Sequence, residues 1–168
     1  ELSCITIDPS KGEHRNRGDF SAVVFTGVTQ NKIWVASSVE RRPVEKLVSD
    51  SIAMFNTLQP ERIGIESNAF QDLLQPIFQQ RSKVPLPIEL IHNHVNKQVR
   101  IARLGPYFAD HRFRMREDSA GNYVLLEQLK DFPLGDHDDG PDALEMGIRL
   151  LRKIAAEVPD EMEQEEQT

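Results

Sequence analysis

Cysteine is almost missing from this chain: Cys4 is alone, so neither an internal disulfide nor a cysteine-based zinc site can form. Nothing in the sequence argues for an oxidising compartment. No apolar run is long enough to cross a bilayer and no signal peptide is recognisable, so a cytoplasmic protein without membrane contact is expected. Also absent are a Gly-x-x-x-x-Gly-Lys-Ser/Thr phosphate loop and paired glycine-rich loops, which excludes a P-loop motor or an actin-like ATPase within these residues. There is no internal repeat. What the chain does have is carboxylate, 27 Asp and Glu against 20 Lys and Arg in 168 residues.

The acids are unevenly placed. Six of the seven net negative charges lie in residues 157–168, which contain no basic residue. Residues 1–156 are therefore read as one domain with a sizeable core, and 157–168 as an acidic tail expected to be disordered. Residues 81–116 reverse the balance, with eight Lys or Arg against Glu89 and Asp110. A basic region close to an acidic site suits an enzyme acting on a polyanion.

Three β-prone runs come first: Leu2 to Ile7, stopped by Asp8-Pro9, then Phe20 to Val28 and Ile33 to Ser38, whose short links predict an antiparallel meander. Helical spacing follows over Pro43 to Leu58. Arg62 to Glu66 is a short apolar strand ending in an acid. Ser67 or Asn68 opens a helix that Pro76 should kink, Pro87 to Ile91 is a fifth strand, and a helix begins at Asn96. Arg112-Phe-Arg-Met-Arg116 alternates as an edge strand does. A loop at Gly121-Asn122 and a helix from Tyr123 to Lys130 come next. The pattern predicts an α/β fold, a mixed sheet with helices on both faces.

The chemistry concentrates in His137-Asp138-Asp139-Gly140-Pro141-Asp142-Ala143-Leu144. Gly140-Pro141 opens a helix whose apolar face reads Leu144, Gly147, Ile148, Leu151, Ile154 and Ala155, with Asp139 or a neighbour as cap. Asp139 and Asp142 share its first turn. Asp8 and Glu66 each end an apolar strand, and if those strands are neighbours the two carboxylates meet where strand tips converge, with the helix mouth as the third corner. Hard oxygen donors from three segments suit Mg²⁺ or Mn²⁺. Two such ions could activate water and stabilise the leaving oxygen in phosphodiester hydrolysis. Asp19, Asp138 and His137 are auxiliary candidates. Lys97, Arg100 and Arg103 at three-residue spacing, with Arg112, Arg114 and Arg116, are the candidate path for a DNA backbone.

These residues resemble a family, the C-terminal nuclease domain of the large terminase subunit of tailed bacteriophages, in the ribonuclease H-like superfamily. The likeness runs through Ile5-Thr6-Ile7-Asp8-Pro9, Gly18-Asp19-Phe20-Ser21-Ala22, Ile63-Gly64-Ile65-Glu66-Ser67-Asn68, Lys97 to Phe108, Leu129-Lys130-Asp131-Phe132-Pro133 and the His137 to Leu144 motif, nearly all of residues 2–156. It implies a ribonuclease H-like mixed sheet and a divalent-metal-dependent endodeoxyribonuclease that cuts concatemeric double-stranded DNA during genome packaging in a bacterial host. Asp8 and Glu66 would be metal ligands, with the third acid drawn from Asp139 or Asp142. It also implies a packaging ATPase domain, a small terminase subunit and a portal as partners. The family places an ATPase before its nuclease, whereas this chain starts at the nuclease's first strand, as an excised domain or a stand-alone relative would. A Holliday-junction resolvase or transposase-like enzyme of the same fold is the alternative, and a non-catalytic DNA-binding module is a third reading.

Overall fold

The computed structural model describes residues 1–9 and 20–158; Asp19 and the tail from 159 onward lie outside the described residues. Strands β1 (Leu2–Asp8), β2 (Phe20–Thr29) and β3 (Lys32–Arg41) form the antiparallel meander expected from their short links. Helix α1 (Val44–Leu58) crosses to β4 (Arg62–Glu66), which lies parallel to β1. The next helical stretch is interrupted: α2 (Ser67–Ala69), a π-helical turn over Phe70–Leu74, then α3 (Gln75–Arg81). Pro76 stands near the start of α3, where its missing N–H is least costly, and the widened turn before it is the expected kink. Strand β5 (Ile88–Ile91), α4 (Lys97–Ala102), α5 (Gly105–Ala109), β6 (Phe113–Met115), α6 (Ala120–Asp131) and α7 (Asp139–Glu157) complete the chain. The sheet order is β5-β4-β1-β2-β3-β6, parallel outside the meander.

Alternation along β1 divides the core. Ile5 and Ile7 face α1 and α3, together with Val23, Ile63 and Ile65. Cys4, Thr6 and Asp8 take the opposite face by the two-residue period of a strand, and α7 lies there. The Thr6 hydroxyl donates to the Ala143 carbonyl at 2.6 Å and the Cys4 thiol to that of Gly147 at 3.5 Å. Two residues of strand and four of helix advance by nearly the same distance, about 6–7 Å, so the two elements run side by side in opposite directions without losing step. One more step along each element leads to Asp8 on the strand and Asp139 on the helix.

Close approach explains two glycines. A Cβ on Gly64 would sit 2.8 Å from Leu150, so its absence lets α7 settle on β4. Gly121, expected in a loop, is instead inside α6, with Asn122 buried beside it. The helix starts earlier because Ser119 caps it and Asn122 donates to backbone oxygens of Val35 and Arg116. A Cβ at position 121 would stand 1.9 Å from the Ser37 carbonyl oxygen, and backbone cannot yield as a side chain can. Gly121→Ala should therefore cost about 3 kcal/mol or more in urea unfolding, while Gly105→Ala, with open space around it, should stay within about 1 kcal/mol of wild type. Ala155, placed on the apolar face of α7 by spacing, is exposed, because the sheet ends before the helix does. Glu157, assigned to the tail, is the last helical residue and pairs with Arg62. Among the described residues no helix is long and apolar enough to cross a membrane.

Candidate metal centre

Asp8 and Glu66 end adjacent parallel strands in register, Ile7 opposite Ile65. Glu66 shares the parity of Arg62 and Gly64, so it too belongs to the α7 side of the sheet. At the mouth of α7 the cap is Asp138, with no side-chain bond to the helix N–H groups. The Gln128 side chain takes the Gly140 N–H at 2.9 Å and the Asp138 carbonyl takes that of Asp142 at 2.9 Å, so the expected capping by Asp139 is not needed. The acids of the motif are thereby left for other work.

That work centres on Lys97. Its Nζ lies 2.8 Å from Asp138 and 3.3 Å from both Asp8 and Asp142. Arg100, one turn on, is 4 % exposed and bonds Asp142 at 2.5 Å and Glu145 at 3.0 Å. Arg149 also pairs with Glu145, at 2.9 Å, and donates to the Asn93 side chain at 2.6 Å. Asp142 thus spends one oxygen on Arg100 and the other on Lys97. Glu145 went unnoticed in the sequence because it interrupts an apolar face. Its spacing of three from Asp142 and four from Arg149 is the signal that places all three together.

Burial is the main influence on Asp8, pushing its carboxyl from an ordinary 3.8 up to about 8; Lys97 opposes that rise, while Asp142 and Asp139 add to it. Asp139 is raised as well, first by burial, with Lys97 opposing and Asp138 contributing. Burial works against the Lys97 ammonium, but Asp8, Asp142 and Asp138 outweigh it and hold the group well above its usual range. Even with Lys97 present, then, burial keeps the Asp8 and Asp139 carboxyls above their ordinary range.

The donor set fits a hard divalent cation in chemistry and in charge: carboxylates from two strand tips and one helix mouth, unfavourable to ionise together without a cation. Among the described residues, no three His, Cys, Asp or Glu side chains stand close enough to chelate one ion as they are, and an ammonium lies between them. His137 packs edge-on against Phe20 at the same end of the sheet, ring centres 4.9 Å apart.

The proposed basic path divides differently from its sequence pattern. Lys97 and Arg100 turn inward to the acids, and Arg100 is too buried to meet a phosphate; only Arg103 of that trio faces solvent. Strand β6 pairs with Ile33 to Val35, whereas the Asp8 end of the sheet is flanked by Ala22 and Val39. Four strand residues, about 13 Å, separate the two levels, and two strands lie between β6 and β1. Arg112 donates to the Asn31 carbonyl and lies over Tyr107, Arg114 bonds His111 and Phe113 carbonyls, and Arg116 pairs with Asp118. The β6 arginines and the acid cluster are separate features.

Strand order, meander and the α7 packing define a ribonuclease H-like fold. In particular, it is the fold of terminase large-subunit nuclease domains: the thermophilic phage G20c large terminase nuclease superposes with a TM-score of 0.65 at 12% identity, over 88% of this chain and 81% of that one. The human cytomegalovirus terminase nuclease domain, solved Mn-soaked with an inhibitor, gives 0.60 at 13% identity over 92% and 85%. The Fowlpox virus resolvase, in complex with substrate Holliday junction DNA, gives 0.52 at 10% identity over 89% and 98%. No family model matches the sequence, and no curated protein matches it.

Proposed function

We propose that this chain is a divalent-metal-dependent DNA endonuclease of the terminase large-subunit type, cutting concatemeric double-stranded DNA during genome packaging. The observation that carries the reading is the step-matched packing of β1 on α7, which brings a buried strand-tip carboxylate, Asp8, to the mouth of an acid-rich helix beside the tip of Glu66. Asp8, Glu66 and Asp139 would hold Mg²⁺ or Mn²⁺, whose chemistry when bound is Lewis-acid polarisation of a phosphodiester and a lowered pKa for water. The G20c nuclease has been solved with bound cobalt and the cytomegalovirus domain after Mn soaking, which supports metal binding by a chain of this fold.

Each side chain then has a distinct task. The burial of Asp8 excludes water from one side of the site, and Asp139 comes one helical step beyond Ala143 along the same seam. Asp142, held by Arg100 and Lys97, fixes the start of α7 relative to α4 rather than acting as a ligand. Arg103 is the exposed member of the α4 group left to meet a DNA backbone, with packaging partners such as an ATPase domain, small subunit and portal bringing DNA to a chain that is itself acidic overall.

Supercoiled plasmid incubated with Mg²⁺ or Mn²⁺ should be cut by the wild-type chain and spared in a chelator. Glu66→Gln and Asp139→Asn should each lower the rate by about a hundredfold or more, since Lewis-acid stabilisation is worth several kcal/mol and each tenfold in rate is about 1.4 kcal/mol. Asp142→Asn should act mainly on stability. Unchanged turnover in folded Glu66→Gln and Asp139→Asn would reject the ligand assignment. The near-complete coverage of the Fowlpox resolvase gives a branched-DNA enzyme as second reading, and a four-way junction cut in preference to linear duplex would select it.

A further inference from the structure

The cluster contains two kinds of cation. Arg100 is buried, bonded to two carboxylates, and has no room to leave. Lys97 is different: its side chain is one-third exposed, sits on a four-carbon stem and projects from the first turn of the six-residue helix α4, whose start Asn96 fixes by accepting the Gln98 N–H. Its ammonium lies among the carboxylates of Asp8, Asp138 and Asp142, not at their rim. An ammonium within 3.3 Å of Asp8 takes coordination space that a metal ion on Asp8 would need, and two cations cannot share that space without strong repulsion.

We propose that Lys97 is the resident counter-ion of the acid cluster and that it exchanges with the divalent cation, swinging toward solvent as metal loads on Asp8. This rests on the metal reading above and adds the regulation of that site. Without metal, Lys97 keeps the carboxylates together and the mouth of α7 in place. With metal bound, the freed ammonium becomes available to a DNA phosphate beside Arg103. Binding is then coupled in both directions: DNA that draws Lys97 outward tightens metal binding, and metal that displaces Lys97 tightens DNA binding by the same factor. The exchange limits metal loading where no DNA is present.

Calorimetric Mn²⁺ titration of the full chain tests this. Lys97→Met, which keeps the stem and removes the charge, should bind Mn²⁺ more tightly than wild type by about tenfold or more, within the usual span of coupled sites. Lys97→Arg should bind no tighter than wild type. Wild-type binding with equal or weaker affinity in folded Lys97→Met would overturn the exchange while leaving the metal site standing. No Mn²⁺ binding by either protein would overturn the metal reading and the exchange together. A second measurement needs no variant: amine acylation followed by mass spectrometry should show Mg²⁺ accelerating modification of Lys97 several-fold and leaving exposed Lys83 unaffected. Equal or slower labelling of Lys97 with Mg²⁺ would refute the displacement.

Discussion

Asp8→Asn is expected to abolish metal-dependent cleavage and, in the absence of metal, to raise the melting temperature at pH 8. The activity loss should be roughly a thousandfold or more, since Lewis-acid stabilisation of a phosphodiester transition state is worth several kcal/mol and each tenfold in rate is about 1.4 kcal/mol. The stability gain has the opposite origin. Burial raises the Asp8 carboxyl from 3.8 to about 8, so the folded protein holds that proton more tightly than the unfolded chain. Its contribution is complete below about pH 4 and is lost as pH rises toward about 8. The neutral amide escapes that loss. Melting curves from pH 5 to pH 9 should therefore diverge, with the variant pulling ahead at the alkaline end, and saturating Mg²⁺ should restore the wild type alone. Parallel curves would mean that Asp8 is not the strained acid of the cluster.

Arg100→Met is the second large effect, and it should appear in stability first. The substitution removes the guanidinium from two nearly inaccessible carboxylates, Asp142 and Glu145, and leaves them facing each other in a poorly solvated interior. Breaking a buried pair from one side typically costs about 3–5 kcal/mol. Urea unfolding should show a loss of that size, whereas Arg103→Ala, on the exposed side of the same segment, should stay within about 0.5 kcal/mol. Neutralising the acids as well, in Arg100→Met/Asp142→Asn/Glu145→Gln, should recover a good part of the loss. Equal stability of the Arg100 and Arg103 variants would show that the guanidinium is not the linchpin of the α4–α7 contact.

The strand tips were legible because a strand's alternation and a terminating acid are local properties. Ile5-Thr6-Ile7-Asp8 and Ile63-Gly64-Ile65-Glu66 each carry their own boundary, and the meander that opens with the first and precedes the second limits how the sheet can be ordered. Residues 97–103 were legible only as a helix. Three-residue spacing of Lys97, Arg100 and Arg103 describes one broad face, but whether that face meets water or carboxylates depends on α7, more than forty residues away. Charge was read as surface because isolated charges usually are; here paired acids made burial tolerable. The place of the β6 arginines was hidden for another reason: alternation identifies a strand without naming its partner, and pairing with Ile33 to Val35 sets them away from the acids. Gly121 looked like a turn for want of any local sign that a neighbouring backbone would press against it.

The β1–α7 seam works like a pair of matched gears, two teeth of strand to four of helix, engaged at Cys4 with Gly147 and at Thr6 with Ala143. Such a mechanism tolerates slack before it but none within it. Residues inserted between Asp131 and His137 would lengthen the approach and leave the engagement untouched. A single residue inserted between Asp139 and Ala143 would turn the helix mouth through about 100° relative to the seam and carry Asp139 off the Asp8 side altogether. Variation among relatives of this chain should therefore gather in the approach to α7, while the count of residues from Asp139 to Gly147 stays constant.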